Sequence, residues 1–432
     1  MTVTLPPAAP SSTGSLTVPQ GAALSVGAVL GTGVISLPAL AADMAGPASL
    51  LAWLALVLLS VPLAATFAAL GARYPDGGGV STYARRAFGR RAAAMVGWCF
   101  YFAVPVGAPA AAMFAGHYVA DVVGGGPRTA LVTATAITLV VATANFLGLR
   151  VSGRLQLGLA TVLILLLVVA TVAALPYADL ANLQPFAPQG WAAVGSAAAL
   201  LVWAFAGWEA VSSLAGDYRR PERDLPKATA VTVVVVAVLY LAIAGTSILV
   251  LGSAAGTSAA PLSDLLALGI GGPVRAITAV VAVLLTIGAM NAYFAGAAKL
   301  GAALGRDGAL PVWFARGSAA GEIPRRSLLV VSVLALLSLA AFGALELDLQ
   351  ALVLVTTGAF SLVYTVGTAS ALRLLPRGTW AHRAALGALL AVVGLLVLTG
   401  MYVIWALALA AAALAYDAFA NRTRRKLPVS TG

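Results

Sequence analysis

Two short stretches hold the residues best placed to do chemistry. VLGTGVISLPAL, Val29 to Leu40, sets Gly31, Thr32, Gly33 and Pro38 inside an apolar run from about 22 to 42. LVWAFAGWEAV, Leu201 to Val211, sets Ala206 and Gly207 between aromatic residues and follows them with Glu209. Glycine and proline in an apolar run of that length interrupt a helix where lipid offers the main chain no partner. Unwound main chain exposes two kinds of group. Amides at Thr32, Gly33 and Val34 would face the start of the following half-helix, where the dipole favours a carboxylate. Carbonyls at Val29, Trp203 and Ala206 would suit a protonated amine. Together they form a receptor for the two ends of an α-amino acid, with Gly31, Gly33 and Gly207 allowing close approach. The competing reading is that Gly31 and Gly33 only permit tight helix packing and that Pro38 is an ordinary kink.

Glu209 is the acid placed well inside the apolar runs, where a buried charge costs about 3 kcal/mol by insertion scales. Two roles are open to it: carrying a proton that biases a conformational equilibrium, or accepting hydrogen bonds that hold the break in shape. The scarcity of other buried charge implies a ligand with a neutral, apolar side chain. Candidate walls are Trp203, Phe205 and Trp208 on the sixth span, Tyr101 and Pro105 on the third, Asn291 and Tyr293 on the eighth, and Thr356 and Thr357 on the tenth.

These residues need a membrane scaffold. The chain of 432 residues is 61% hydrophobic and only 9% charged, against about 25% charged residues in soluble domains. A crossing needs roughly 20 apolar residues, and such blocks fall at 17–41, 47–70, 93–122, 129–148, 152–175, 192–216, 227–251, 273–304, 327–344, 349–373, 384–399 and 401–420. The expectation is an all-α integral membrane protein of twelve transmembrane helices. The run 384–420 would be about 55 Å long as one helix, so a turn near Gly400 is required.

Of the 25 Lys and Arg, 23 fall after even-numbered spans and only Arg128 and Arg275 elsewhere. Basic loops face the cytoplasm, which puts both termini there. The same loops account for the net charge of +11, so nucleic acid is not expected as a partner. Residues 1–16 are expected to be a disordered cytoplasmic tail and 421–432 a basic one. A lone cysteine, Cys99, two histidines and no HExxH or CxxC pattern exclude an internal disulfide and argue against a metal or cofactor site. Gly77-Gly78-Gly79 lacks the Gly-Lys-Ser/Thr of a phosphate loop and reads as a hinge before a short cytoplasmic helix; His117 reads as structural.

The two interruptions lie five spans apart. Equivalent breaks in two five-helix halves, 17–175 and 192–373, point to an inverted-repeat transporter with its site at the midplane, the 384–420 hairpin being added. The breaks are expected near 31–34 and 204–208.

The motifs themselves resemble a known group. LGTGVISLPAL at 30–40, FAGWEAVSSLAGDYRRPERDLPKAT at 205–229, GRDGALP at 305–311 and IPRRSLL at 323–329 are similar to signatures of the amino acid–polyamine–organocation (APC) superfamily. GARYPDGGGV at 71–80, VPVGAPAA at 104–111 and LELDLQALVL at 345–354 look most like its bacterial exporters of L-methionine and branched-chain amino acids. The resemblance implies the five-plus-five fold with two added helices and efflux of hydrophobic amino acids (methionine, leucine, isoleucine and valine) across the cell membrane; coupling to protons is a separate expectation that rests on Glu209. It assigns carboxylate binding to the Thr32 and Gly33 amides, amine binding to the Val29, Trp203 and Ala206 carbonyls, and a gating role to Trp203. Some relatives carry a lysine in the fifth helix where others hold sodium. None occurs from Leu155 to Leu175, so sodium dependence is not implied and Glu209 is left as the titratable candidate. An importer or exchanger on the same fold is the nearest alternative; a membrane enzyme or channel is a distant one. Pairing of two copies is left open.

Overall fold

A computed structural model describes residues 16–74, 79–149, 153–208, 214–317 and 322–426. Among the described residues the chain is helical, with no strand beyond one isolated bridge between Leu16 and Tyr218. In chain order the helices are α1 (Val18–Leu30), α2 (Leu37–Ala45), α3 (Ser49–Arg73), α4 (Gly79–Phe88), α5 (Arg90–Val123), α6 (Gly126–Phe146), α7 (Gly153–Ala174) and α8 (Ala192–Leu201). They continue as α9 (Pro221–Leu251), α10 (Pro261–Ile270), α11 (Val274–Arg306), α12 (Arg325–Ala344), α13 (Leu349–Leu374), α14 (Trp380–Leu398) and α15 (Val403–Lys426). Among the described residues ten helical stretches, Leu37–Arg73 counted as one, are long and apolar enough to cross a membrane. The expected span 17–41 is built from shorter pieces instead, and so are the described residues 192–208 of the expected span 192–216.

Local chemistry explains the boundaries. Prolines stand in the first turn of α1, α6, α9 and α10, where the missing amide has no intrahelical partner to lose. The buried hydroxyls of Thr138, Thr232, Ser247 and Thr356 donate to carbonyls one turn back, at 2.8 to 2.9 Å. That satisfies groups which lipid cannot. The chain turns through Gly400–Tyr402 between α14 and α15. The helix continues to Lys426, so the first part of the expected C-terminal tail is ordered. The expected tail 1–16 lies outside the described residues apart from Leu16.

Helix α5 sits at the centre: 83% of its apolar window is buried, against 22% for α7 and for α14. Around it, α3 packs on α9, α5 on α11 and α6 on α12. These pairs join helices five spans apart. Between them the 3-10 turn Gly33–Ile35 meets the 3-10 turn Val202–Phe205.

Candidate functional site

Two gaps in helix geometry frame the site. The first opens after Leu30 and closes at Leu37, with Gly31 at φ 44° and a 3-10 turn over Gly33–Ile35. The second opens after Leu201: a 3-10 turn covers Val202–Phe205, Ala206 is extended at φ −58°, ψ 114°, and Gly207 takes φ 129°. Glycine at 207 meets two needs at once. Its φ is one that L side chains rarely adopt, and a Cβ there would lie 2.9 Å from the Ala28 carbonyl oxygen and 3.0 Å from the Val29 Cα. The second break therefore lies directly on the main chain of the first.

A cavity of about 500 Å³ opens between them. Val29, Gly31, Thr32, Gly33, Trp203, Ala206 and Gly207 all line it. Its side walls are apolar: the small residues Ala103, Gly107 and Ala108 from α5 and the larger Leu163 from α7, Met290 from α11 and Phe360 from α13. Tyr293 and Thr356 also line it. Described charged side chains are absent from the lining, which suits a ligand whose charges meet main-chain dipoles and whose side chain is neutral.

The lining continues through Leu24, Gln156 and Gly296 toward the end of the bundle that carries Arg154 and Lys299. The indole of Trp203 lines the cavity and stands edge-on to Phe114, with ring centroids 5.7 Å apart at 71°. Beyond Trp203 the structure is tied by polar contacts. Tyr118 donates its O–H to the Ile35 carbonyl at 2.6 Å and accepts the Leu262 amide at 3.2 Å. Arg275 bridges Asp121 at 2.7 Å and Asp264 at 2.8 Å.

Other candidates stand elsewhere. The Tyr101 hydroxyl donates to the Ser327 carbonyl at 3.0 Å and accepts from its hydroxyl at 3.2 Å, bracing α5 against the start of α12. Asn291 accepts the Asn145 amide at 2.7 Å, a buried link between α11 and α6. Thr357 donates to the Leu354 carbonyl at 3.1 Å while its neighbour Thr356 faces the cavity. None of Tyr101, Asn291, Thr357, Pro105 and Trp208 is among the lining residues. The Phe205 side chain, Glu209 and the Gly77-Gly78 part of the glycine run lie outside the described residues.

Sequence reasoning passed over two residues. Gln156 brings the one amide side chain to the cavity among the described lining residues. Tyr240, on α9, directs its O–H at the carbonyls of Val29, 2.9 Å away, and Ala204, 3.3 Å away. A buried tyrosine in an apolar run is a signal, since its hydroxyl must find an acceptor.

Many apolar helices enclosing two interrupted segments and a shared cavity define a multi-pass membrane transporter. The chain belongs to the amino acid permease family, whose profile, described as "Amino acid permease", matches residues 16–429. An uncharacterized amino acid permease of Bacillus subtilis, YecA, is 32% identical to it over 96% of this chain and 97% of its own length. The L-methionine/branched-chain amino acid exporter YjeH of Escherichia coli is 32% identical over 90% of this chain and 92% of its own. A branched-chain amino acid permease of Bacillus subtilis, BcaP, is 28% identical over 51% of each. These relatives are transporters rather than enzymes. The chain is accordingly an amino acid transport protein of the cell membrane.

Proposed function

We propose that this permease is a secondary active transporter that moves neutral hydrophobic L-amino acids out of the cell by alternating access. The observation that carries the reading is the cavity lined by the main chain of both breaks and otherwise by apolar side chains. In this reading Thr32 and Gly33 offer amides to the carboxylate, Gly31 lets it approach while its own amide stays bonded to the Gly27 carbonyl, Val29 and Ala206 offer carbonyls to the ammonium, and Ala103, Gly107, Met290 and Phe360 receive the side chain. Methionine, leucine, isoleucine and valine match such walls; arginine and glutamate would need a counter-charge. The substrate named for YjeH agrees with that selection.

The scaffold we propose is twelve crossings, in two inverted five-helix repeats at 17–175 and 192–373 with the 384–420 hairpin added and both termini cytoplasmic. The packing of helices five spans apart supports the two-fold relation, because equivalent helices near such an axis meet across it. Given this orientation, the cavity faces the cytoplasm and Trp203 with Phe114 forms the shut outer gate. Glu209, two residues past Gly207, either carries the coupled proton or stabilises the break.

Counterflow in vesicles reconstituted with the pure protein tests the reading. Preloaded methionine should drive uptake of labelled methionine and leucine, and an imposed pH gradient should bias net flux. Exchange of arginine in preference to methionine would refute the substrate class. A Glu209→Gln variant that keeps full proton coupling would remove Glu209 from that role.

A further inference from the structure

The carbonyls released by the two breaks need to be held at a fixed spacing if they are to receive an ammonium group. One side chain outside both breaks touches two of them. The Tyr240 O–H lies 2.9 Å from the Val29 carbonyl oxygen and 3.3 Å from that of Ala204. A phenol has one proton, so it donates to one acceptor at a time, and Val29 is the nearer. The ring is buried, 3% exposed, and is held by Trp53 with centroids 5.1 Å apart. Tyr240 is not among the residues lining the cavity. It works from behind the main chain.

We propose that Tyr240 is a positioning residue for the amine end of the substrate, its hydroxyl joining the first break to the second and aiming the Val29 carbonyl. A carbonyl oxygen has two lone pairs. With one engaged by Tyr240, the other faces the cavity beside Ala206 and accepts from the ammonium, which has donors only. The phenol and the ammonium thus share one oxygen without competing. Removal of the hydroxyl frees the Val29 peptide to turn and the two breaks to drift apart, and the carboxylate subsite at Thr32 and Gly33 is left in place. The assignment rests on the amino acid reading of the cavity and deepens it.

The test compares L-methionine with 4-(methylthio)butanoate, the same molecule without its amine, by equilibrium binding to pure protein and to Tyr240→Phe. The expected result is a tenfold or greater weakening for methionine with less than a twofold change for the analogue. A structural role alone would weaken both together, and that outcome, or no change in either, overturns the assignment. Trp53→Phe loosens the ring while keeping the hydroxyl, so it should shift the preference the same way by a smaller factor. Should Tyr240→Phe not fold, an unchanged preference in Trp53→Phe overturns the assignment instead. Failure of the unsubstituted protein to bind any neutral amino acid would overturn the reading of the cavity together with it. Binding with an unchanged preference would overturn the role of Tyr240 alone.

Discussion

The indole of Trp203 rests on the main chain of Gly33: a Cβ built on that glycine would lie 2.6 Å from Trp203 Cδ1 and 3.0 Å from Nε1. Real Cβ atoms essentially never come so near, so the indole can lie against the first break at this point only because residue 33 has no side chain. Gly33→Ala must push the ring away, yet Phe114 stands edge-on behind it. The expected outcome is at least a tenfold fall in methionine counterflow from protein that still elutes as a single species. Near-normal exchange would show that the Trp203–Gly33 contact is dispensable.

Gly207→Ala addresses the other side of the same junction. The variant places a Cβ 2.9 Å from the Ala28 carbonyl oxygen at a φ of 129°. A non-glycine residue in such a conformation costs about 1–3 kcal/mol, before the clash is added. Thermal unfolding in detergent should shift down accordingly, and transport should be lost. An unshifted midpoint would mean that the break relaxes without difficulty.

Asn291→Ala should affect stability rather than selectivity. The side chain is buried and its oxygen receives the Asn145 amide at 2.7 Å, away from the cavity lining. Leaving a buried amide donor without its partner costs about 1–3 kcal/mol. Unfolding curves should show that loss, while the ratio of methionine to valine affinities stays within twofold. A change in the ratio would bring Asn291 back to the substrate.

The pattern of this sequence exposes some features and hides others for physical reasons. Glycine and proline inside long apolar runs are conspicuous, so the regions around Gly31 and Gly207 stand out before any coordinates. Charge placement likewise separates Arg154 and Lys299 at one end from Arg275 at the other. Tyr101, Asn291 and Thr357 stand out as polar side chains inside apolar spans, but such a side chain meets either a neighbouring helix or a cavity. The partners that decide, Ser327 for Tyr101 and Asn145 for Asn291, are remote in the chain. Tyr240 escapes for the same reason: its acceptors lie 211 and 36 residues away. Glu209 was conspicuous as a charge in an apolar run, and its geometry lies outside the described residues.

Arg275 gives a prediction whose sign reverses with substitution. Its guanidinium bridges Asp121 on α5 and Asp264 on α10, and Ser263 also donates to Asp121 at 2.9 Å. One turn earlier on α5, Tyr118 holds the Ile35 carbonyl and the Leu262 amide, so the ion cluster lies next to the contacts that support the first break. The three side chains are between 23% and 33% exposed, and each pair is worth about 1 kcal/mol or less. In the unsubstituted protein salt screens an attraction, and raising it should lower the unfolding midpoint. In Arg275→Gln the two carboxylates remain without their cation, so salt screens a repulsion and should raise the midpoint. Asp121→Asn combined with Arg275→Gln removes both terms and should respond least. Unfolding curves at low and at about 1 M NaCl, where screening acts within about 3 Å, decide the matter. The same direction of shift in Arg275→Gln and the unsubstituted protein would mean that the Asp121–Arg275–Asp264 cluster does not contribute to stability.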